Sequence, residues 1–131
     1  MATTPNFTGT PRVGVASVST TNTNRDGTGT IVDIITGVAA GTKINEVVIK
    51  ATGNPADSIV TLFIYDGTTS WLFDEIDLGD PAAGSATVTA FRTSVQYSNL
   101  ILPSASHKLQ AAITAAPTAG VVNVIALGGN F

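Results

Sequence analysis

Apolar and polar positions alternate along most of this chain with a period of two, and no window shows a convincing apolar period of 3.6. The pattern predicts strands rather than helices. Across residues 13–20, Val13, Val15 and Ser17 alternate with Gly14, Ala16 and Val18. Residues 28–36 hold Ile31, Val32, Ile34 and Ile35, a β-branched cluster suited to a pleated surface. Over residues 43–52, Val47, Ile49 and Ala51 share one face, while Glu46 and Lys50 share the other with Val48, as in a half-buried strand. Residues 58–65 are apolar on both faces, which marks a central strand.

Turn signals separate these runs. Asp26-Gly27 and Gly53-Asn54-Pro55 break the chain early, and Asp66-Gly67 predicts a hairpin joining 58–65 to 70–78, the segment holding Trp71, Leu72, Phe73 and Ile76. After the Pro-Ala-Ala-Gly loop within 80–85 come strands over 86–95 and 99–102, the latter closed by Pro103. Strands over 107–115 and 121–127 complete the series. Short strands at roughly 8–12-residue spacing predict an all-β domain, a single antiparallel β-sandwich of jelly-roll-like type, with a small barrel as the alternative. Residues 2–12 contain Pro5, Gly9 and Pro11 and oppose both helix and central strand. They are expected to form an irregular arm, so the division is arm 1–12 and sandwich 13–131.

A length of 131 residues suits one domain, and the absence of cysteine removes disulfides and thiolate metal sites together. Charged residues make up 11% against roughly 25% in a typical soluble domain, so threonine, serine and asparagine must solvate the surface. Such a surface suits a protein packed against copies or partners. The net charge is −3, and Arg12, Arg25, Lys43, Lys50, Arg92 and Lys108 are scattered singly, which argues against a nucleic-acid partner. No run approaches 18 apolar residues and the first residues lack an apolar leader core, so neither a membrane span nor a signal peptide is expected.

Reactive chemistry is sparse. Asp66, Asp74, Glu75, Asp77 and Asp80 are five of nine carboxylates, but their spacing matches no EF-hand loop and strand alternation parts Asp74 from Glu75 and Asp77. A glycosidase reading would pair two of these carboxylates beside an aromatic platform such as Trp71 or Tyr65, residues that equally well fill a hairpin core. His107 is the one histidine, with no cysteine beside it for a metal and no Gly-x-Ser-x-Gly serine for a triad. Gly27-Thr28-Gly29 lacks the third glycine of a dinucleotide loop. No catalytic, metal or cofactor residue is expected, and the chain is read as a non-enzyme.

Certain structural residues carry more information: Gly41-Thr42-Lys43-Ile44, Leu62-Phe63-Ile64-Tyr65-Asp66-Gly67, Trp71-Leu72-Phe73-Asp74-Glu75-Ile76, Leu100-Ile101-Leu102-Pro103 and Ala126-Leu127-Gly128-Gly129-Asn130-Phe131. In this order, over about residues 28 to 131, the chain resembles the small β-sandwich capsid decoration, or cement, proteins of tailed bacteriophages. The resemblance implies a structural protein on the outside of the virion that binds the major capsid protein, self-associates with a trimer favoured, and stabilises the head. With the arm, it places partner binding at Pro5, Phe7, Pro11, Arg12 and Trp71. The alternative is a tail or baseplate module that binds carbohydrate through Trp71 and the acidic hairpin.

Overall fold

A computed structural model describes residues 9–131. These residues form eight strands: β1 (Thr10–Val18), β2 (Val32–Thr36), β3 (Thr42–Ala51), β4 (Ile59–Tyr65), β5 (Ser70–Asp77), β6 (Arg92–Leu102), β7 (Lys108–Ile113) and β8 (Val122–Asn130). They build two four-stranded sheets, ordered β1-β8-β3-β6 and β2-β7-β4-β5, and every pairing of these strands is antiparallel. Strand β1 pairs with β8, β2 with β7, β3 with β6 and β4 with β5. That nested pairing is what a long hairpin produces when rolled into two layers, so the sandwich is a jelly roll.

Alternation decides the core. Val47, Ile49 and Ala51 of β3, and Val122, Val124 and Ala126 of β8, point inward and are buried against Val60 and Leu62 of β4 and Leu109 and Ile113 of β7. Chain ends far apart in sequence thus meet in one sheet. At the end of this ladder, β3 bulges between Ile44 and Glu46, and Gly128 sits where any Cβ would collide with the Lys43 carbonyl oxygen. Only glycine lets the two backbones approach there.

The outer faces of the two sheets differ. Phe63, Thr61 and Ala112 have the parity that points out of the β2-β7-β4-β5 sheet, yet all three are buried. Part of the reason is the β1–β2 connection, residues 19–31, which lies over this face as a strap. The Asn22 backbone N–H donates to the Ile113 carbonyl, Arg25 pairs with Glu75 of β5, and Gly27 packs on the Ser70 backbone. Buried Asn22 fastens the strap: its amide donates to the Thr28 and Thr30 carbonyls and accepts the Asn24 N–H, each at 3.0 Å.

The sandwich agrees with the expected fold class, while several boundaries are corrected. Thr10, Pro11 and Arg12, assigned to the arm, are the first residues of β1 and pair with Asn130, Gly129 and Gly128. Pro11 is tolerated because β1 is an edge strand, where one side of the backbone needs no partner. Residues 28–31 precede β2 because Thr28 and Thr30 give their carbonyls to Asn22. Residues 86–91 are not a strand: the Ser85 hydroxyl accepts the N–H groups of Thr87 and Val88, closing a tight turn. The expected runs over 86–95 and 99–102 therefore become the single strand β6.

Candidate interaction surfaces

Strand register arranges the outer face of the β1-β8-β3-β6 sheet into four cross-strand rows. These are Ser17-Asn123-Lys50-Arg92, Val15-Ile125-Val48-Ser94, Val13-Leu127-Glu46-Gln96 and Pro11-Gly129-Lys43-Ile101. The two middle rows place Val13, Val15, Ile125 and Leu127 side by side, with Val48, buried at 7% exposure, next to Ile125. Val13 is 64% exposed and Val15 57%, so no other part of the described chain covers them. Around this apolar centre stand Lys43, Lys50 and Arg92 with one carboxylate, Glu46. An apolar centre within a charged rim is the anatomy of a protein interface. Lys50 and Arg92 are also direct cross-strand partners, an unfavourable pairing of like charges that an anionic partner would relieve.

A second patch lies on β5, the edge of the other sheet. Trp71, Leu72 and Phe73 are consecutive and exposed at 59%, 38% and 41%. Three neighbours in a strand cannot all alternate; here the β4–β5 register shifts between the Leu62–Asp74 and Phe63–Leu72 pairs, leaving Phe73 as the bulged residue. The bulge turns Phe73 toward Tyr97 of β6, with ring centroids 5.4 Å apart, and Tyr97 donates its hydroxyl to Asp74 Oδ2 at 2.7 Å. Burial, reinforced by the Asp74 carboxylate, pushes the Tyr97 hydroxyl above the ordinary tyrosine range.

Trp71 is held in place by the preceding loop. Asp66 accepts the N–H groups of Thr69 and Thr68 through Oδ1 and the Trp71 indole N–H through Oδ2, at 2.8, 2.9 and 2.9 Å. Those bonds, that from Thr69 foremost, hold the Asp66 carboxyl well below the usual carboxylate range. Gly67 takes the left-handed conformation that the hairpin loop requires, at φ 103°. The expected Asp66-Gly67 hairpin is therefore present, and its acid is a structural cap.

Three of the other four acidic residues in this stretch are engaged separately. Glu75 meets Arg25 of the strap, Asp77 accepts the Gly79 N–H, and Asp74 serves Tyr97. Among the described residues, no three His, Asp or Glu side chains gather as metal ligands. His107 Nδ1 meets Ser104 Oγ at 2.7 Å in the turn before β7, and the same hydroxyl accepts the Ser106 N–H, so this serine–histidine contact closes a local turn.

Of the residues expected to bind a partner, Pro5 and Phe7 lie outside the described residues. Trp71 stands on the β5 edge, about as exposed as a large apolar side chain becomes in this fold. Pro11 is exposed at the outer end of the β1-β8-β3-β6 face. Arg12 points the other way, and its guanidinium donates to the Thr36 carbonyl at 2.6 Å, tying β1 to β2 across the layers. Arg12 and Trp71 are therefore not brought together. Sequence reasoning missed Val13, Val15, Ile125 and Leu127. The available signal was that β1 and β8 are apolar on both alternation phases, which is more than one buried face needs.

No family model matches the chain, and no curated protein matches it. Among solved structures, the chain is similar to a chain of the acidic stable capsid structure of Helicobacter pylori bacteriophage KHP30. The TM-score is 0.53 at 18% identity, covering 92% of this chain and 86% of that one. At that identity the likeness is one of fold, and it spans nearly the whole length of both chains.

Proposed function

We propose that this chain is a structural virion protein: a decoration, or cement, protein that binds the outer surface of a major capsid lattice and stabilises the head without catalysing a reaction. The observation that carries the proposal is the end-to-end fold likeness to a chain of a phage capsid structure. The exposed apolar sheet face with its charged rim supports it, because a protein that works in many copies against a lattice needs such a surface. In this reading the chain self-associates, with a trimer favoured, and docks on capsid protein through β1, Pro11 and the residues that precede them. Mixing the purified chain with undecorated heads tests it. Saturable co-sedimentation, with heads that then withstand heat or osmotic shock better, is the expected result; heads that neither bind nor gain resistance would sink the proposal.

One feature favours a second reading, a carbohydrate-binding module of a tail or baseplate. Trp71 presents an exposed indole whose N–H is pinned by Asp66, a rigid platform on which a sugar ring could stack. Glycan binding that disappears in a folded Trp71→Ala variant would favour that reading over decoration.

A further inference from the structure

The two exposed apolar patches are complementary in charge. The β1-β8-β3-β6 face is rimmed by Lys43, Lys50 and Arg92 against Glu46 alone, whereas Trp71 and Leu72 lie between Asp66 and the carboxylates Asp74 and Asp77, with Glu75 already paired to Arg25. The chain as a whole carries a net charge of −3, so the cationic face stands out from the rest of the surface. Two such faces brought together would oppose like charges. A face brought to a β5 edge opposes unlike ones.

The patches also do not overlap. Tyr97 of β6 reaches Asp74 of β5, so the β5 edge lies on the β6 side of the sandwich, whereas Val13 and Val15 lie on β1 at the opposite edge of their sheet. One molecule can therefore offer both patches at once to different neighbours. Four strands about 4.8 Å apart and nine to eleven residues long make a face of about 19 by 30 Å, and side-chain relief brings it close to the roughly 800 Å² per partner of a standard interface.

We propose that the chain self-associates head to tail, the β5 edge around Trp71 of one copy seating on the Val13–Val15–Ile125–Leu127 face of the next. This rests on the reading of the chain as a many-copy structural protein and specifies how copies meet. The contact is heterologous: it generates a closed ring when the rotation between copies closes, and an open chain otherwise. Trp71 is the central anchor, because aromatic side chains dominate such contacts.

The test needs the protein alone, in sedimentation velocity. Wild type is expected to form assemblies larger than monomer. Val13→Glu/Val15→Glu, which sets acid against the acidic edge, and Trp71→Lys, which sets a cation against the cationic face, are each expected to raise the apparent dissociation constant about tenfold or more. Circular dichroism checks folding, with Val15→Thr and Trp71→Thr as milder substitutes should either variant unfold. The decisive step mixes the two variants. Each retains the patch the other lacks, so a 1:1 dimer forms from two variants that are monomeric alone; an isologous contact through one patch would instead let the variant that keeps that patch pair with itself. A monomeric wild type, variants that assemble like wild type, or a mixture without dimer would each overturn the proposal. Head binding is scored separately with Trp71→Lys, which leaves β1 and Pro11 intact, so a failure of that variant to bind heads counts against decoration and not against head-to-tail association.

Discussion

Asn22→Ala measures what the strap over the β2-β7-β4-β5 sheet contributes. The Asn22 side chain is buried and makes three hydrogen bonds of 3.0 Å, two donated to the Thr28 and Thr30 carbonyls and one accepted from the Asn24 N–H. At about 1 kcal/mol net for each, their loss costs about 2–3 kcal/mol, the upper end applying if the freed carbonyls stay dry. A second effect follows from position. Loosening the strap also weakens its ties to the sheet, the Asn22 N–H bond to the Ile113 carbonyl and the Arg25–Glu75 pair. Urea unfolding with a slope near 2 kcal/mol/M should place the midpoint lower by about 1 M or slightly more. Hydrogen exchange separates local from global opening: the amide of residue 22, bonded to the Ile113 carbonyl, should exchange faster than the amides of β4 and β7. A stability loss under about 0.5 kcal/mol with unchanged exchange at residue 22 would refute the strap as a structural element.

Three further outcomes follow from other parts of the fold. Gly128→Ala drives a Cβ into the Lys43 carbonyl at the β3 bulge and should destabilise by about 3 kcal/mol or more; a thermal midpoint within a few degrees of wild type would contradict that close approach. Tyr97→Phe removes the hydrogen bond to Asp74 and should cost about 1–2 kcal/mol in urea unfolding. Because folding raises the Tyr97 pKa, its contribution is present below the ordinary tyrosine range and lost as pH rises above it, so wild type should lose this increment in alkali and Tyr97→Phe should not. Asp66 has the opposite sign: its lowered native pKa makes its contribution full above the usual carboxylate range and lost only as pH falls through the native value. An Asp66 carboxyl seen by NMR to titrate within the usual range would contradict the hairpin cap.

The strands were legible wherever one face was polar. Glu46 and Lys50 set the phase of β3, and Asp66-Gly67 fixed the β4–β5 turn, because both signals are local. What escaped was non-local. Pro11 reads as a strand breaker until β1 is known to be an edge, and edge position depends on β8 arriving from the far end of the chain. Residues 21–27 read as an ordinary polar turn and 28–31 as the start of a strand, since nothing in their composition shows that Asn22 folds the segment back over a sheet. The exposed face was missed for a related reason: Val13 and Val15 look like core residues, and only the placement of Gly14 and Val18 on the inner side shows that these valines point outward. Trp71 stands out in the sequence as the one tryptophan, whereas the bulge that exposes Phe73 beside it arises from the pairing with β4.

The claim that most needs testing is where the chain resides. The proposed decoration role puts the chain on a capsid, and cryo-electron microscopy of purified virions that contain it provides the most direct measurement. The account predicts that eight-stranded jelly rolls fitting this chain occur in many symmetry-related copies on the outer surface of the capsid shell. A virion in which this density occurs only in the tail or baseplate, or on no part of the shell, would contradict it.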